Sequence, residues 1–327
     1  MREIIAIAFA FDDKFTKLFS VAAHSIAKAT EANLNVYVVD CGISDVSKAK
    51  IRSLQTKCEN ILAVDIRSPE REEALEKLPT EERFNSSVFY RLAIPKVFPE
   101  LKRVIYLDCD IVANGDISEL WHENLAGRPF GAVEEDGNLS DEKTRLYKRA
   151  SLLLSSDKFY YNSGVLLIDC EQFEKSKIFE RVIAYVKGTE IFLSCPEQDA
   201  MNACLGQDEH MPLSPRYNFI PFASLAKKCL GKIKEPLLIE YACVKPWQMN
   251  RATVEFFHSL GICRYATTML LNFWKAADAM GAEKFGSKNI SPTLKFFCKS
   301  IFQPVEKFAK KCYESAKSSF AKHRQRD

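Results

Sequence analysis

The chain has 327 residues, 47% of them hydrophobic and 27% charged, with a formal net charge of +3. That length suffices for a full-sized core in one large domain or two small ones, and the 11% aromatic content with a modest net charge excludes a disordered chain. Apolar runs such as Ile4–Phe11 reach about eight residues where a membrane span needs about 20, and the N-terminus lacks a secretory layout, so the chain is expected in the cytoplasm.

In chain order, Glu3–Phe9 reads as a buried strand closed by Asp12-Asp13, and Thr16–Ala32 has helical spacing. Asn35–Val39 is a second strand, Ser44 caps a helix through Ile51 and Leu54, and Ile61–Ile66 is a third strand. Ser86–Val97 is helical in spacing, with Pro95 bending or ending it. Arg103–Leu107, Phe130–Val133 and Gly164–Ile168 are further strands, and Glu142–Leu154, Phe173–Val186 and Glu197–Leu205 are helical. The stretch Leu213–Ile239 is irregular and rich in Pro. This alternation predicts an α/β domain with a mostly parallel sheet. The 11 Cys are scattered from Cys41 to Cys312 with no C-x-x-C pair or zinc-ligand spacing, so they read as small hydrophobes in a reducing compartment.

Ligands of open α/β sheets sit beyond the carboxyl ends of the strands. Acidic residues fall there at Asp12-Asp13, at Asp40 and at Asp108-x-Asp110, although Asp is also a common turn and cap residue. In Val104–Val112 the two carboxylates lie at i and i+2, on one side of an extended segment and about 7 Å apart. Such a pair can hold a hard divalent cation and leave positions open for phosphate oxygens. Two enzyme readings share this spacing: a haloacid-dehalogenase-like phosphatase with Asp108 as nucleophile, and a nucleotide-sugar glycosyltransferase in which D-x-D binds metal. The phosphatase motif normally sits on the first strand, whereas three strands precede this one.

The flanking motifs decide the matter. Phe9-Ala10-Phe11-Asp12-Asp13, Phe89-Tyr90-Arg91-Leu92 with Ile94-Pro95, the Asp108-x-Asp110 strand, Tyr161-Asn162-Ser163-Gly164, Glu197-Gln198-Asp199, Arg216-Tyr217-Asn218 and Lys245-Pro246-Trp247 follow one another in order. From about Ile4 to Trp247 the chain resembles the family 8 retaining glycosyltransferases, which include bacterial lipopolysaccharide glucosyl- and galactosyltransferases and glycogenin. The resemblance implies an α/β GT-A fold with a mixed, mostly parallel central sheet and a helical C-terminal extension. It implies a UDP-hexose donor and Mn2+ or Mg2+ as cofactor, with transfer of glucose or galactose to a glycan hydroxyl. A non-catalytic nucleotide-sugar-binding protein is the alternative.

By matching position, Ala10, Asp12, Phe15, Arg91, Asp108, Cys109, Asn162, Glu197, Gln198, Asp199 and Lys245 are expected to bind the donor. Phe15 stands at the uracil-stacking place, and Gln198 beside the anomeric carbon. Arg91 and Lys245 are expected to stabilise charge on the departing diphosphate. Gln198 is a poor nucleophile, so a front-face transfer fits it better than a double displacement. The metal is expected on Asp108 and Asp110. The family usually places a His six residues before the Lys of K-P-W; here Ile239 occupies that place, and the adjacent Glu240, a good hard-cation ligand, is the expected substitute.

The net charge conceals an asymmetry. From Ser287 onward ten Lys and Arg face three acidic residues, a local +7, against −4 for the first 286 residues. Ile290, Leu294, Phe297 and Ile301, then Val305, Phe308, Cys312 and Ala316, have helical spacing among these lysines. The expectation is a GT-A domain over 1–250, a helical region over 251–327, and a basic amphipathic tail from about 287 that meets an anionic membrane surface. That would make the protein peripheral on the inner face of the cell membrane, near a lipid-linked glycan acceptor. No nucleic-acid partner is expected.

Overall fold

The computed structural model describes residues 2–69, 86–135, 149–155, 158–220, 235–242, 245–248, 251, 254–255, 258 and 264–280. Its centre is a seven-stranded sheet in the order β3-β2-β1-β4-β7-β6-β8. The strands are β1 (Ile4–Phe11), β2 (Asn33–Asp40), β3 (Ile61–Arg67), β4 (Arg103–Leu107), β6 (Phe130–Glu134), β7 (Tyr161–Asp169) and β8 (His210–Leu213); β5 (Ile111–Ala113) and β9 (Leu238–Glu240) form a small antiparallel pair. In the seven-stranded sheet β7 alone runs against its neighbours. The sheet is therefore mixed and mostly parallel, as expected.

Side-chain size on β1 sets what covers each face. Ile5, Ile7, Phe9 and Phe11 point into a core shared with Leu18, Phe19, Ala22 and Ile26 of the Thr16–Ala29 helix. Ala6 and Ala8 point the other way, under Phe89, Leu92 and Ala93. With no bulk there, the segment Ser86–Ala93 packs against β1 and brings Arg91 to the end of β4. The later helix Arg264–Ala279 buries Leu270, Phe273 and Trp274 in the first of these cores.

Several expectations need correcting. Ser86–Ala93 is a 3-10 helix that passes into a short α-helix, Ile94–Val97, with Pro95 in its first turn, where Pro is tolerated. The single helix expected over Phe173–Val186 is two, Cys170–Lys175 and Ile178–Gly188, broken where Lys177 adopts φ 50°. The strands β5, β8 and β9 were not anticipated; at three or four residues each they are too short to show a period. The expected helix Glu142–Leu154 lies outside the described residues as far as 148, and so does the basic tail. Among the described residues no helix is long and apolar enough to cross a membrane.

Candidate active site

The site forms where β1, β4 and β6 end and the reversed β7 begins. β4 alternates, so Tyr106 and Asp108 share a side, and the Tyr106 hydroxyl donates to the Asp108 carboxylate. Asp110 follows on that side, whereas the Cys109 side chain, 7% exposed, packs into the core with Ile111. The chain then enters β5, which pairs with β9 in a register that sets Glu240 opposite Ile111, and Tyr241 N–H donates to the Asp110 carbonyl at 3.0 Å. Ile239, at the family's His place, faces the core with no exposure, and Glu240 faces the aspartates. One carboxylate oxygen from each of Asp108, Asp110 and Glu240 lies within 4.8 Å of the others.

This grouping is costly without a cation. Burial pushes the Asp108 carboxyl up to about 6, with Arg91 opposing and Asp110 reinforcing the shift. Burial, then Asp110 and Asp108, raise Glu240 well above the usual carboxylate range. Glu240 is 4% exposed, and its Oε2 has no hydrogen-bond partner among the described residues. The residue facing that carboxylate is Gly164: a Cβ there would stand 2.7 Å from Oε2 and 2.8 Å from Cδ. The strand has thus left room for an acid that lacks a full set of partners. Three hard oxygen donors around such a space fit a divalent cation.

Among the described residues two cations border the triad. Arg91, 8% exposed, places Nη2 3.1 Å from Asp108 Oδ1 and Nη1 3.2 Å from Glu197 Oε1. It also donates to the Ser163 carbonyl at 3.0 Å and the Val88 carbonyl at 3.0 Å, with its guanidinium carbon 5.0 Å from the centre of the Tyr106 ring. Lys245 Nζ donates to Asp110 Oδ2 at 2.5 Å and lies 5.5 Å from the centre of the Trp247 ring, which packs on Phe273.

The third wall is the first turn of the helix Pro196–Cys204. Pro196 fixes the helix start, so Glu197, Gln198 and Asp199 point back toward the head of β7 at 5%, 6% and 0% exposure. Gln198 Oε1 accepts from Ser163 N–H at 3.0 Å, and its Nε2 donates to Glu135 at 2.6 Å and to the Tyr160 oxygen at 2.9 Å. Because one end of the amide meets a donor and the other a carboxylate, its orientation is fixed by chemistry. Asp199 accepts from the Tyr160 hydroxyl at 2.5 Å and from Cys195 N–H at 2.9 Å. Asn202 exchanges two hydrogen bonds of 2.9 Å with the backbone of Tyr161, stapling helix to strand.

A family model, Glycosyl transferase family 8, matches residues 6–251. The chain belongs to glycosyltransferase family 8. General stress protein A of Bacillus subtilis is 29% identical over 256 residues, covering 72% of this chain and 85% of that one. A lipopolysaccharide 1,2-glucosyltransferase of Escherichia coli K12 is 26% identical over 254 residues, 75% and 73% of the two chains. Among solved structures, the galactosyltransferase LgtC with donor and acceptor sugar analogues superposes with a TM-score of 0.68 at 19% identity, covering 85% of this chain and 96% of that one. That likeness carries the fold, which is the expected GT-A arrangement.

In this family 8 glycosyltransferase the residues singled out from sequence fall into one network and one neighbouring end. Arg91, Asp108, Asp110, Glu197, Gln198, Glu240 and Lys245 are joined directly or through Ser163. Asn162 joins from beneath: its Oδ1 accepts from Gly164 N–H at 2.6 Å and Asn218 Nδ2 at 2.8 Å. Asp199 reaches the network through Tyr160. Ala10, Asp12 and Phe15 sit at the end of β1, which pairs with β4 through Ala8 and Tyr106. There Asp12 accepts from Lys14 N–H at 3.1 Å, and Phe15 is 45% exposed. Five residues of the network were not among the expected site residues: Tyr106, Glu135 and Tyr160, and Ser163 and Asn218, which the sequence motifs contain without assigning them a role. Tyr106 was legible as the i−2 neighbour of Asp108, and Glu135 as another strand-end carboxylate; the pairing of Tyr160 with Asp199 needs tertiary contact.

Proposed function

We infer that this glycosyltransferase moves glucose or galactose from UDP-hexose to a hydroxyl of lipopolysaccharide or another cell-surface glycan, with retention at the anomeric carbon. The observation that carries this reading is the carboxylate triad set against a carboxamide, Gln198, held in one orientation. Names of relatives support the acceptor class: lipopolysaccharide glucosyltransferases of E. coli and a lipopolysaccharide 1,3-galactosyltransferase of Salmonella typhimurium.

Asp108, Asp110 and Glu240 would hold Mn2+ or Mg2+, which supplies Lewis-acid stabilisation of the leaving diphosphate. Arg91 is fixed on five sides and adds positive charge that needs no reorganisation as the phosphate leaves. Lys245 brings a mobile ammonium to the same diphosphate. Phe15 offers an exposed ring to the uracil, beside Ala10 and Asp12. The acceptor oxygen bonds to the anomeric carbon on the face that UDP leaves, and its proton passes to the departing phosphate oxygen. Gln198, held by Ser163, Glu135 and Tyr160, presents a polar amide to the positive charge that develops on the sugar. An amide is too weak a nucleophile for a double displacement. Cys109 contributes its backbone, since its side chain is in the core. The basic tail from about 287 brings this domain to the anionic inner face of the membrane, where a lipid-linked acceptor is available.

The test is a transfer assay of the full chain with Mn2+ and each of UDP-glucose and UDP-galactose, with mass-spectrometric detection of product on a lipopolysaccharide-core acceptor. Metal-dependent UDP release with one hexose added is the expected result. Binding of UDP-sugar without turnover would overturn the reading.

A further inference from the structure

The ammonium of Lys245 occupies a position that a bound cation would contest. Asp110 Oδ2 receives it at 2.5 Å, and Asp110, Glu240 and Asp108 all draw on its charge. The Asp110 side chain is 11% exposed and that of Lys245 29%, so the pair is partly shielded and its attraction exceeds that of a surface ion pair. Lys245 is tethered by Pro246 and Trp247, in a turn whose indole rests on Phe273. The backbone is anchored there, and the four-carbon stem is the part able to swing.

We propose that Lys245 is the internal counter-ion of the Asp108–Asp110–Glu240 triad, displaced when a divalent cation binds and released to the donor's diphosphate. The proposal rests on the metal site described above. Once a divalent ion neutralises Asp110, the ammonium loses its partner, and the doubly charged diphosphate arriving beside it is the next available anion. One side chain therefore couples the two ligands. In the free protein Lys245 opposes the metal, and with nucleotide bound it favours the complex. By linkage, metal must strengthen nucleotide binding by the factor with which nucleotide strengthens metal binding. This ordering makes the protein a poor metal binder until UDP is present.

The experiment measures Mn2+ uptake by the full-length protein from the EPR signal of the free hexaaquo ion, with and without UDP. It compares the wild type with Lys245→Met, which keeps the stem, and with Lys245→Gln as a second variant should the first misfold. Without UDP, the Lys245 variant is expected to bind Mn2+ about tenfold more tightly, the order expected for removing one competing charge at a partly shielded site. With UDP the advantage should shrink or reverse, since the released ammonium is missing. Equal or weaker Mn2+ binding by the variant without UDP overturns the proposal. Asp110→Asn separates the two readings: if the wild type binds and Asp110→Asn does not, while Lys245→Met matches the wild type, the metal site stands and the counter-ion role falls. If the wild type takes up no Mn2+ even with UDP, both fall.

Discussion

At the end of β1, Phe15 is 45% exposed, whereas two strands away Gln198 and Asp199 are 6% and 0% exposed, with bonds of 2.5–3.0 Å fixing their polar atoms. Both regions lie at the same end of the sheet's strands, yet they suit different tasks. A planar base can be held by an apolar ring with tolerance in position, and an exposed ring loses little by waiting. Charge developing at a reacting carbon is stabilised only by dipoles that are already aimed, because reorienting them would cost what they contribute. On the roles proposed above, the nucleotide end is open and the transfer end is set in advance.

That contrast is open to attack by mutation. Gln198→Ala is expected to lower kcat about 100-fold, the scale of losing one aimed dipole, with KM for UDP-sugar nearly unchanged; a change in KM alone would place Gln198 on the binding side. Gly164→Ala would drive a methyl into the Glu240 carboxylate and is expected to weaken Mn2+ binding about tenfold, as outer-shell changes do, with the circular dichroism of the fold retained. Isothermal titration with UDP present reads that value, and unchanged affinity would remove Glu240 from the metal site. Phe15→Ala should raise KM for UDP-sugar about tenfold through lost base stacking and leave kcat and thermal stability alone. A fall in kcat would show the two ends to be mechanically joined.

The smallest effect concerns stability beneath the transfer end. His210, whose ring is tilted 44° to that of Tyr161 with centroids 4.7 Å apart, has its pKa pushed down to about 4, by burial first and then by Arg128 and Lys158. Above the unfolded value of about 6.5 neither state binds this proton; between 6.5 and 4 the unfolded chain binds it and the folded chain does not. Stability is thus fully present above pH 6.5 and lost as the pH falls toward 4, by about 1 kcal/mol between pH 7 and 5.5. Urea unfolding at the two pH values should show this loss in the wild type and a flatter dependence in His210→Phe.

How much of this was legible in sequence varied with the range of the contact. The strands β1, β2, β4 and β7 announce themselves as apolar runs, and Asp108-x-Asp110 follows from their alternation. Glu240 was picked out because it neighbours an expected ligand position, although its route to the two aspartates, the three-residue pairing of β5 with β9, carries no periodic signal. Tyr160 and Asp199 are 39 residues apart, and nothing local in either marks the other. The break at Lys177 went unseen because the apolar positions on either side continue a helical rhythm, while the backbone at one residue leaves it.

The reversal of β7 has a consequence for reading such chains. Along β1, β4 and β6 the informative residues come after the apolar run; along β7 they come before it, as Tyr160, Asn162 and Ser163. A search that scans only downstream of each strand would recover the carboxylates and discard the scaffold that aims Gln198. The reversed strand also delivers amide hydrogens, those of Ser163 and Gly164, to an edge otherwise rich in acid. The forward strands thus bring carboxylates to the site, and the returning strand brings amide donors together with the Ser163 carbonyl that accepts from Arg91.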